Sequence, residues 1–153
     1  MDRRTLLASV GAAGLLGGGV GYGACRYLHA PVAPGPATDV SFVIVDDQLG
    51  EPGDEPSIEF DEDNDVIHVS GTLYVGPPDC HEASLRSIGY DSESDSISTS
   101  VSWTRIWSAY LDGCSDEVGP DSYRLTIAVD RFPRRVVAVE HDVFGNRYST
   151  QHP

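Results

Sequence analysis

Lysine is absent from this chain of 153 residues, and all ten basic residues are arginines. Asp and Glu together number 24, which leaves a formal net charge of −14. Binding to nucleic acid requires clustered Lys and Arg, so the composition disfavours that partner. So much charge of one sign destabilises a compact chain in dilute buffer. Near 1 M salt the Debye length falls to about 3 Å and screens most of this repulsion. We therefore predict adaptation to concentrated salt; the alternative is a patch that attracts cations or a basic partner.

Motifs of the common catalytic and metal sites are also missing. The three cysteines include no CxxC pair, which argues against a zinc site and against thioredoxin-like redox chemistry. No G-x-S-x-G segment is present to place a nucleophilic serine on a sharp turn. The sequence therefore predicts neither a catalytic residue nor a cofactor.

The chain does have an N-terminus of the export type. Arg3 and Arg4 precede an uncharged, glycine-rich apolar stretch, as in secretory signals. The order RRTLL resembles a twin-arginine signal, which implies export in an already folded state. The alternative is an uncleaved transmembrane helix, because Leu6–Ala24 has 19 residues without charge and a span needs about 20. In both cases the chain after Cys25 lies outside the cell.

Cys25 ends this segment and is the predicted site of lipid attachment. Gly23-Ala24-Cys25 resembles a lipobox, although Tyr22 stands where an aliphatic residue is usual. We divide the chain into a signal segment (1–25), a Pro- and Ala-rich tether (26–38) and a folded domain (39–153). An odd number of cysteines leaves one over, and Cys25 is that one. Cys80 and Cys114 are then predicted to form a disulfide outside the cell; two unpaired thiols are the alternative.

From Asp39 onward apolar residues recur at every second position, which predicts β-strands. Gly71 is predicted to mark a bulge or a close approach. The class is all-β, and we expect an antiparallel β-sandwich that is immunoglobulin-like, with a small barrel as the alternative. The predicted strands are Val40–Asp46, Ser57–Asp61, Val66–Val75, a hairpin of His81–Tyr90 and Ser96–Trp103, Tyr123–Val129, a strand with Val137 and Val139, and Arg147–Thr150.

One segment has helical spacing instead. Apolar residues from Trp103 to Leu111 recur at i, i+3, i+4, i+7 and i+8, which predicts a short helix between two strands. We expect its aromatic side chains to cover one end of the sandwich. The alternative is an exposed aromatic patch for a partner or a glycan.

Two acidic segments are candidates for metal or acid–base chemistry. In DEDND, the alternate acids Asp61, Asp63 and Asp65 resemble the start of a calcium loop, but Val66 and Thr72 stand where an EF-hand needs Gly and Glu.

The second segment, Glu140-His141-Asp142, suggests a metal or acid–base site, and so do His68 and His81, each taken by itself. In a strand, however, His141 faces away from its two neighbours. We therefore predict a solvated edge there.

The combination of an RR signal, a cysteine at its end, an acidic spacer with prolines and a strand-rich domain resembles small haloarchaeal lipoproteins of unknown function. The resemblance implies the outer face of the cell membrane, with anchoring by lipid or by an N-terminal helix, and it supplies no catalytic residues. We predict a membrane-tethered β-sandwich that serves in binding or envelope structure, with a surface protein or a glycan as partner. The alternatives are an exported hydrolase with a fold-assembled site and a calcium-binding surface module.

Overall fold

A computed structural model of the chain describes Cys25–Arg26, residues 35–106 and residues 113–153. Every regular element in these ranges is a β-strand, which confirms the all-β class. None of the described residues belongs to a helix with the length and hydropathy needed to cross a bilayer. The strands are β1 (Cys25–Arg26), β2 (Ala37–Val45), β3 (Ser57–Asp61), β4 (Val66–Gly76), β5 (His81–Asp91), β6 (Ser96–Arg105), β7 (Gly119–Val129), β8 (Arg135–His141) and β9 (Arg147–His152).

Every strand that the alternation predicts is present. The first long strand begins at Ala37, inside the range 26–38 that was assigned to the tether. Strand β6 continues through Trp103 to Arg105, because these residues pair with the start of β5. No helix therefore begins at Trp103, and cross-strand pairing prevails over the helical spacing. The rest of that spacing, in residues 107–111, lies outside the described residues, as do Arg3, Arg4 and Leu6–Ala24.

The strands form two sheets, with the orders β1-β2-β7-β4-β3 and β5-β6-β8-β9. The first sheet is antiparallel throughout. The second is mixed, because β6 and β8 run parallel. The chain leaves β6, passes through the first sheet as β7 and returns as β8, so the two strands point in the same direction. The prediction of purely antiparallel pairing is wrong here. Two separate sheets are not a closed barrel, and their strand order does not confirm an immunoglobulin-like topology.

The two sheets share one hydrophobic core. Alternate residues of β4 and β7 supply its centre, as their period of two predicts. Those from β4 are Ile67, Val69, Leu73 and Val75, and those from β7 are Tyr123, Leu125, Ile127 and Val129. From the second sheet come Ala83, Leu85, Ile97, Val101, Val136 and Ala138. Gly71 interrupts the inward row of β4.

Strand β8 turns the face that carries Val136 and Ala138 inward. Its buried apolar residues are Val136 and Ala138, not Val137 and Val139. The same alternation buries Glu140, and Asp142 beyond the strand is buried as well. The predicted solvated edge is therefore wrong for both carboxyl groups. Four consecutive apolar residues fit either face of a strand, so alternation alone could not choose between them.

A disulfide joins Cys80 and Cys114, whose Cα atoms lie 5.6 Å apart, and this confirms the predicted pair. The two cysteines are 34 positions apart in the chain. Closing a loop of this length stabilises the fold by about 3 to 4 kcal/mol in the chain-entropy account. The disulfide thus ties the start of β5 to the connection between β6 and β7.

Candidate functional site

The outer face of the first sheet carries rows of polar side chains that cross β3, β4 and β7. In one row Glu59 pairs with His68, and His68 pairs with Thr126. In the next row Ser70 pairs with Arg124. These positions alternate with the inward residues of the same strands, and neighbouring strands lie about 5 Å apart. Residues from distant parts of the sequence therefore share one polar surface.

This surface forms a groove of about 630 Å³ beside the β3–β4 turn. The groove has four carboxyl groups, one guanidinium and one imidazole. It is therefore negative overall, with Arg124 as the cation on its floor. The lining residues are Glu59, Phe60, Asp61, Glu62, Asp63, His68, Ser70 and Arg124.

The acidic rim of the groove is part of a hairpin turn. The carboxyl group of Asp61 accepts hydrogen bonds from the side-chain amide of Asn64 at 2.8 Å and from its backbone N–H at 3.2 Å. The side-chain bond from Asn64 is the main cause that lowers the pKa of Asp61. Asp65 closes the turn with a φ of 55°, a left-handed conformation that Asp tolerates.

The hairpin between β5 and β6 repeats this arrangement in the segment DSESD. Asp91 accepts hydrogen bonds from the backbone of Glu93 and the hydroxyl of Ser94, and Asp95 has a φ of 48°. In both turns the first aspartate of a D-x-x-x-D pattern accepts hydrogen bonds and the last has a left-handed conformation.

The acid spacing that suggested a calcium loop therefore has an explanation in turn geometry. Asp61 and Asp63 line the groove, whereas Asp65 does not. Across the ranges that the structure describes, no group of three or more His, Cys, Asp or Glu side chains is placed to hold a metal ion.

The candidate histidines lie in different places. His68 is in the groove, where its Nδ1 lies 3.3 Å from the hydroxyl oxygen of Thr126. His81 begins β5 and packs edge to face on Trp103, with ring centroids 5.3 Å apart. The structure thus does not bring the two imidazoles into one site.

Directly beneath the groove, inside the core, lies the most unusual titratable group. Glu140 has no exposed surface. Its Oε1 accepts a hydrogen bond from the hydroxyl of Tyr123 at 2.6 Å, while its Oε2 has no hydrogen-bond partner. Burial raises the pKa of Glu140 to about 7, although the bond from Tyr123 opposes the shift. Burial also raises the pKa of Tyr123 well above its ordinary value.

Gly71 makes room for this carboxyl group. A Cβ at Gly71 would overlap Oε1 of Glu140 and would lie 3.1 Å from the hydroxyl of Tyr123. The predicted close approach at Gly71 is therefore confirmed, and the group that approaches is a carboxyl.

Asp142 is buried in a different way, at the turn between β8 and β9. Its Oδ1 accepts the backbone N–H groups of Phe144 at 2.9 Å and Asn146 at 2.8 Å. Its Oδ2 accepts the side-chain amide of Asn146 at 3.0 Å and faces the hydroxyl of Tyr148 at 3.4 Å. Asp142 thus organises the turn, and it does not converge with Glu140 on one site.

No family model, curated protein or solved structure matches the chain.

At the N-terminus, the backbone of Cys25 pairs with Val43 on the edge of the first sheet.

Sequence reasoning missed Arg124, Ser70 and the pair of Glu140 with Tyr123. The groove residues come from strands that only the fold brings together, and no local motif marks them. The signal for the buried pair was the glycine within β4, since a glycine at an inward strand position indicates a close neighbour.

Proposed function

We propose that the chain is an exported protein, tethered to the outer face of the cell membrane by its N-terminal segment, and that its two sheets form a β-sandwich that binds a polar ligand. This function needs only two packed layers and not an immunoglobulin-like strand order. The groove on the first sheet is the proposed binding surface.

The disulfide is the observation that carries the proposal. Disulfides persist in oxidising compartments and are rare in the cytosol, so the bond between Cys80 and Cys114 favours export. It also uses both cysteines of the domain. Cys25 is then the cysteine left over, at the end of an apolar N-terminal stretch that follows Arg3 and Arg4.

The groove favours binding of a ligand with positive and hydrogen-bonding groups. Carboxyl groups from β3 and the β3–β4 turn attract a cationic group, while Arg124 and Ser70 on the floor supply hydrogen-bond donors. An amine-bearing glycan or a basic segment of a surface protein has this chemistry. The groove is open, so a chain-like ligand fits it better than a fully enclosed molecule.

The hydrolase alternative is less well supported. A general acid or base needs a shifted pKa together with access to its substrate. The carboxyl group with the raised pKa of about 7, Glu140, has no exposed surface and is separated from the groove by the backbone of the first sheet. The imidazole that lines the groove, that of His68, faces the hydroxyl group of Thr126.

Export and tethering are tested by protease treatment of intact cells that produce the chain, combined with the mass of the membrane-bound protein. We expect added protease to digest the domain without lysis, and the mass to equal that of a chain beginning at Cys25 plus lipid. A full-length mass would instead indicate an uncleaved helix and leave the tethering intact.

Two variants complete this experiment. Replacing both arginines, Arg3→Lys with Arg4→Lys, should keep the domain inside the cell and protect it from protease. Cys25→Ser should abolish the lipid mass without changing the fold. A wild-type domain that stays protected in intact cells, and is digested only after lysis, would overturn the proposal.

A further inference from the structure

The floor of the groove and the buried carboxyl pair share the same two strands. Gly71 of β4 and Tyr123 of β7 are cross-strand partners, and both contact Glu140 on the inner face. The next pair in the register is Ser70 with Arg124, and both line the groove on the outer face. Successive residues of a strand point to opposite faces. One layer of backbone therefore separates Glu140 from the groove.

The surroundings of Glu140 do not solvate a charged form. The side chain fills the gap at Gly71, has no exposed surface and leaves Oε2 without a partner. A charged oxygen in such a place is strongly unfavourable, because no protein donor replaces its lost hydration. Ionisation must therefore admit water or move the side chain, and either change displaces the contacts with Gly71 and Tyr123.

The groups that face Glu140 are uncharged or carry a negative charge. Tyr123 faces it from β7 and Tyr148 is its register partner on β9. The parallel partner on β6 is the apolar Val101. Two residues further along the chain is the carboxyl group of Asp142. Burial, and then the nearby carboxyl groups of Asp142 and Glu140, raise the pKa of Tyr148. None of these groups carries a positive charge.

We propose that Glu140 is a buried proton-binding group that couples the pH of the medium to the floor of the groove through β4 and β7. The inference rests on the proposed function only in naming the groove as the surface affected. The raised pKa of Glu140, about 7, supports it and sets the range in which the coupling acts. Below that range the acid is neutral and the floor keeps the geometry described above. Above it, the charged form shifts Gly71 and Tyr123, and their neighbours Ser70 and Arg124 move with them.

The test is an NMR titration of the purified, ligand-free full chain from pH 4 to pH 9 in molar salt, with ¹³C-labelled Glu and ¹⁵N-labelled backbone. All samples carry His68→Gln, which removes the imidazole of the groove. We expect the Cδ signal of Glu140 and the amide signals of Ser70 and Arg124 to share one midpoint near pH 7. In Glu140→Gln this component should vanish from both amides.

Glu62→Gln is the matched control, because it removes a carboxyl group of the rim and should leave the shared midpoint unchanged. If Glu140→Gln does not fold, Tyr123→Phe replaces it. That variant removes the hydrogen bond that lowers the pKa of Glu140, so the shared midpoint should rise. A Cδ midpoint below pH 5, or amides that do not follow Glu140, would overturn the coupling. The titration uses no ligand or membrane, so a negative result there would not bear on the export proposal. Conversely, a domain that is protected from protease in intact cells would contradict export and would not bear on the coupling.

Discussion

Glu140 and Asp142 are two buried carboxyl groups, two positions apart in the chain, with opposite surroundings. Asp142 lies where the chain turns, so the N–H groups of Phe144 and Asn146 are free to bond it. Glu140 lies within a strand whose backbone pairs on both sides, with β6 and β9. Among the residues that the structure describes, only the side chain of Tyr123 supplies it with a donor.

The difference shows that position along a strand decides how a buried acid is accommodated. Beyond the strand end, backbone donors stabilise a carboxyl group directly. Inside the strand those donors belong to the sheet, so burial favours the neutral form of the acid and the gap at Gly71 makes space for it. Asp142 therefore has a role in the turn, whereas Glu140 is a titratable group in the core.

Removing the carboxyl group of Asp142 should have the largest effect. Asp142→Ala leaves two backbone N–H groups and the amide of Asn146 without their acceptor, and we expect a loss of about 4 kcal/mol in the free energy of unfolding. Asp142→Asn, which retains one acceptor oxygen, should lose roughly half as much. Urea denaturation at pH 7 in molar salt measures both. Asp63→Ala, on the exposed rim, is the control; a loss in Asp142→Ala no larger than in this control would contradict the role in the turn.

The second prediction concerns the pH dependence that Glu140 adds. Its folded-state pKa of about 7 lies above the ordinary value of 4.5, so the folded chain holds a proton that the unfolded chain releases between these values. Stability therefore falls as pH rises through this range. At about 1.4 kcal/mol per pKa unit, the fall amounts to about 3 kcal/mol. Below pH 4.5 Glu140 is protonated in both the folded and the unfolded chain, so it no longer makes the stability depend on pH.

Glu140→Gln cannot ionise and should lack this fall. We expect the variant to gain about 2.5 kcal/mol relative to wild type between pH 5 and pH 8, measured as the change in their difference in unfolding free energy. Comparing the two pH values cancels any effect of the amide that does not depend on pH. It also cancels the general repulsion among acidic residues, which both chains share. An unchanged difference would mean that Glu140 is already charged at pH 5.

Much of this fold follows from period two and from turn chemistry. The inward rows of β4 and β7 are apolar at alternate positions, and the acidic segment DSESD marks the hairpin of β5 and β6. These features are local, so the sequence predicts them. The parallel pairing of β6 with β8 is not local, because it depends on the route of the chain through the other sheet.

The candidate site was harder to predict for the same reason. The groove needs Glu59, His68 and Arg124 on three adjacent strands, and sequence order does not reveal that β7 lies between β2 and β4. For β8, four consecutive apolar residues left open which face of the strand is buried. The polar side chain of Glu140 favoured the orientation that exposes it, which is not the one observed. Only the gap at Gly71 and the hydroxyl of Tyr123, both from the other sheet, make its burial feasible.

The smallest predicted effect tests whether Gly71 exists to make that room. Gly71→Ala places a methyl group against the carboxyl group of Glu140, and overpacking of this kind should cost about 2 kcal/mol. Gly89→Ala, in β5, is the matched control, because the nearest atom to its new Cβ is the Ser98 hydroxyl oxygen at 3.4 Å. The decisive measurement repeats Gly71→Ala in a Glu140→Ala chain, where the methyl group has space. The cost should fall there by about 1 kcal/mol or more, since residues in contact are energetically coupled. An equal cost in both backgrounds would mean that the glycine serves the backbone of β4 and not the buried carboxyl group.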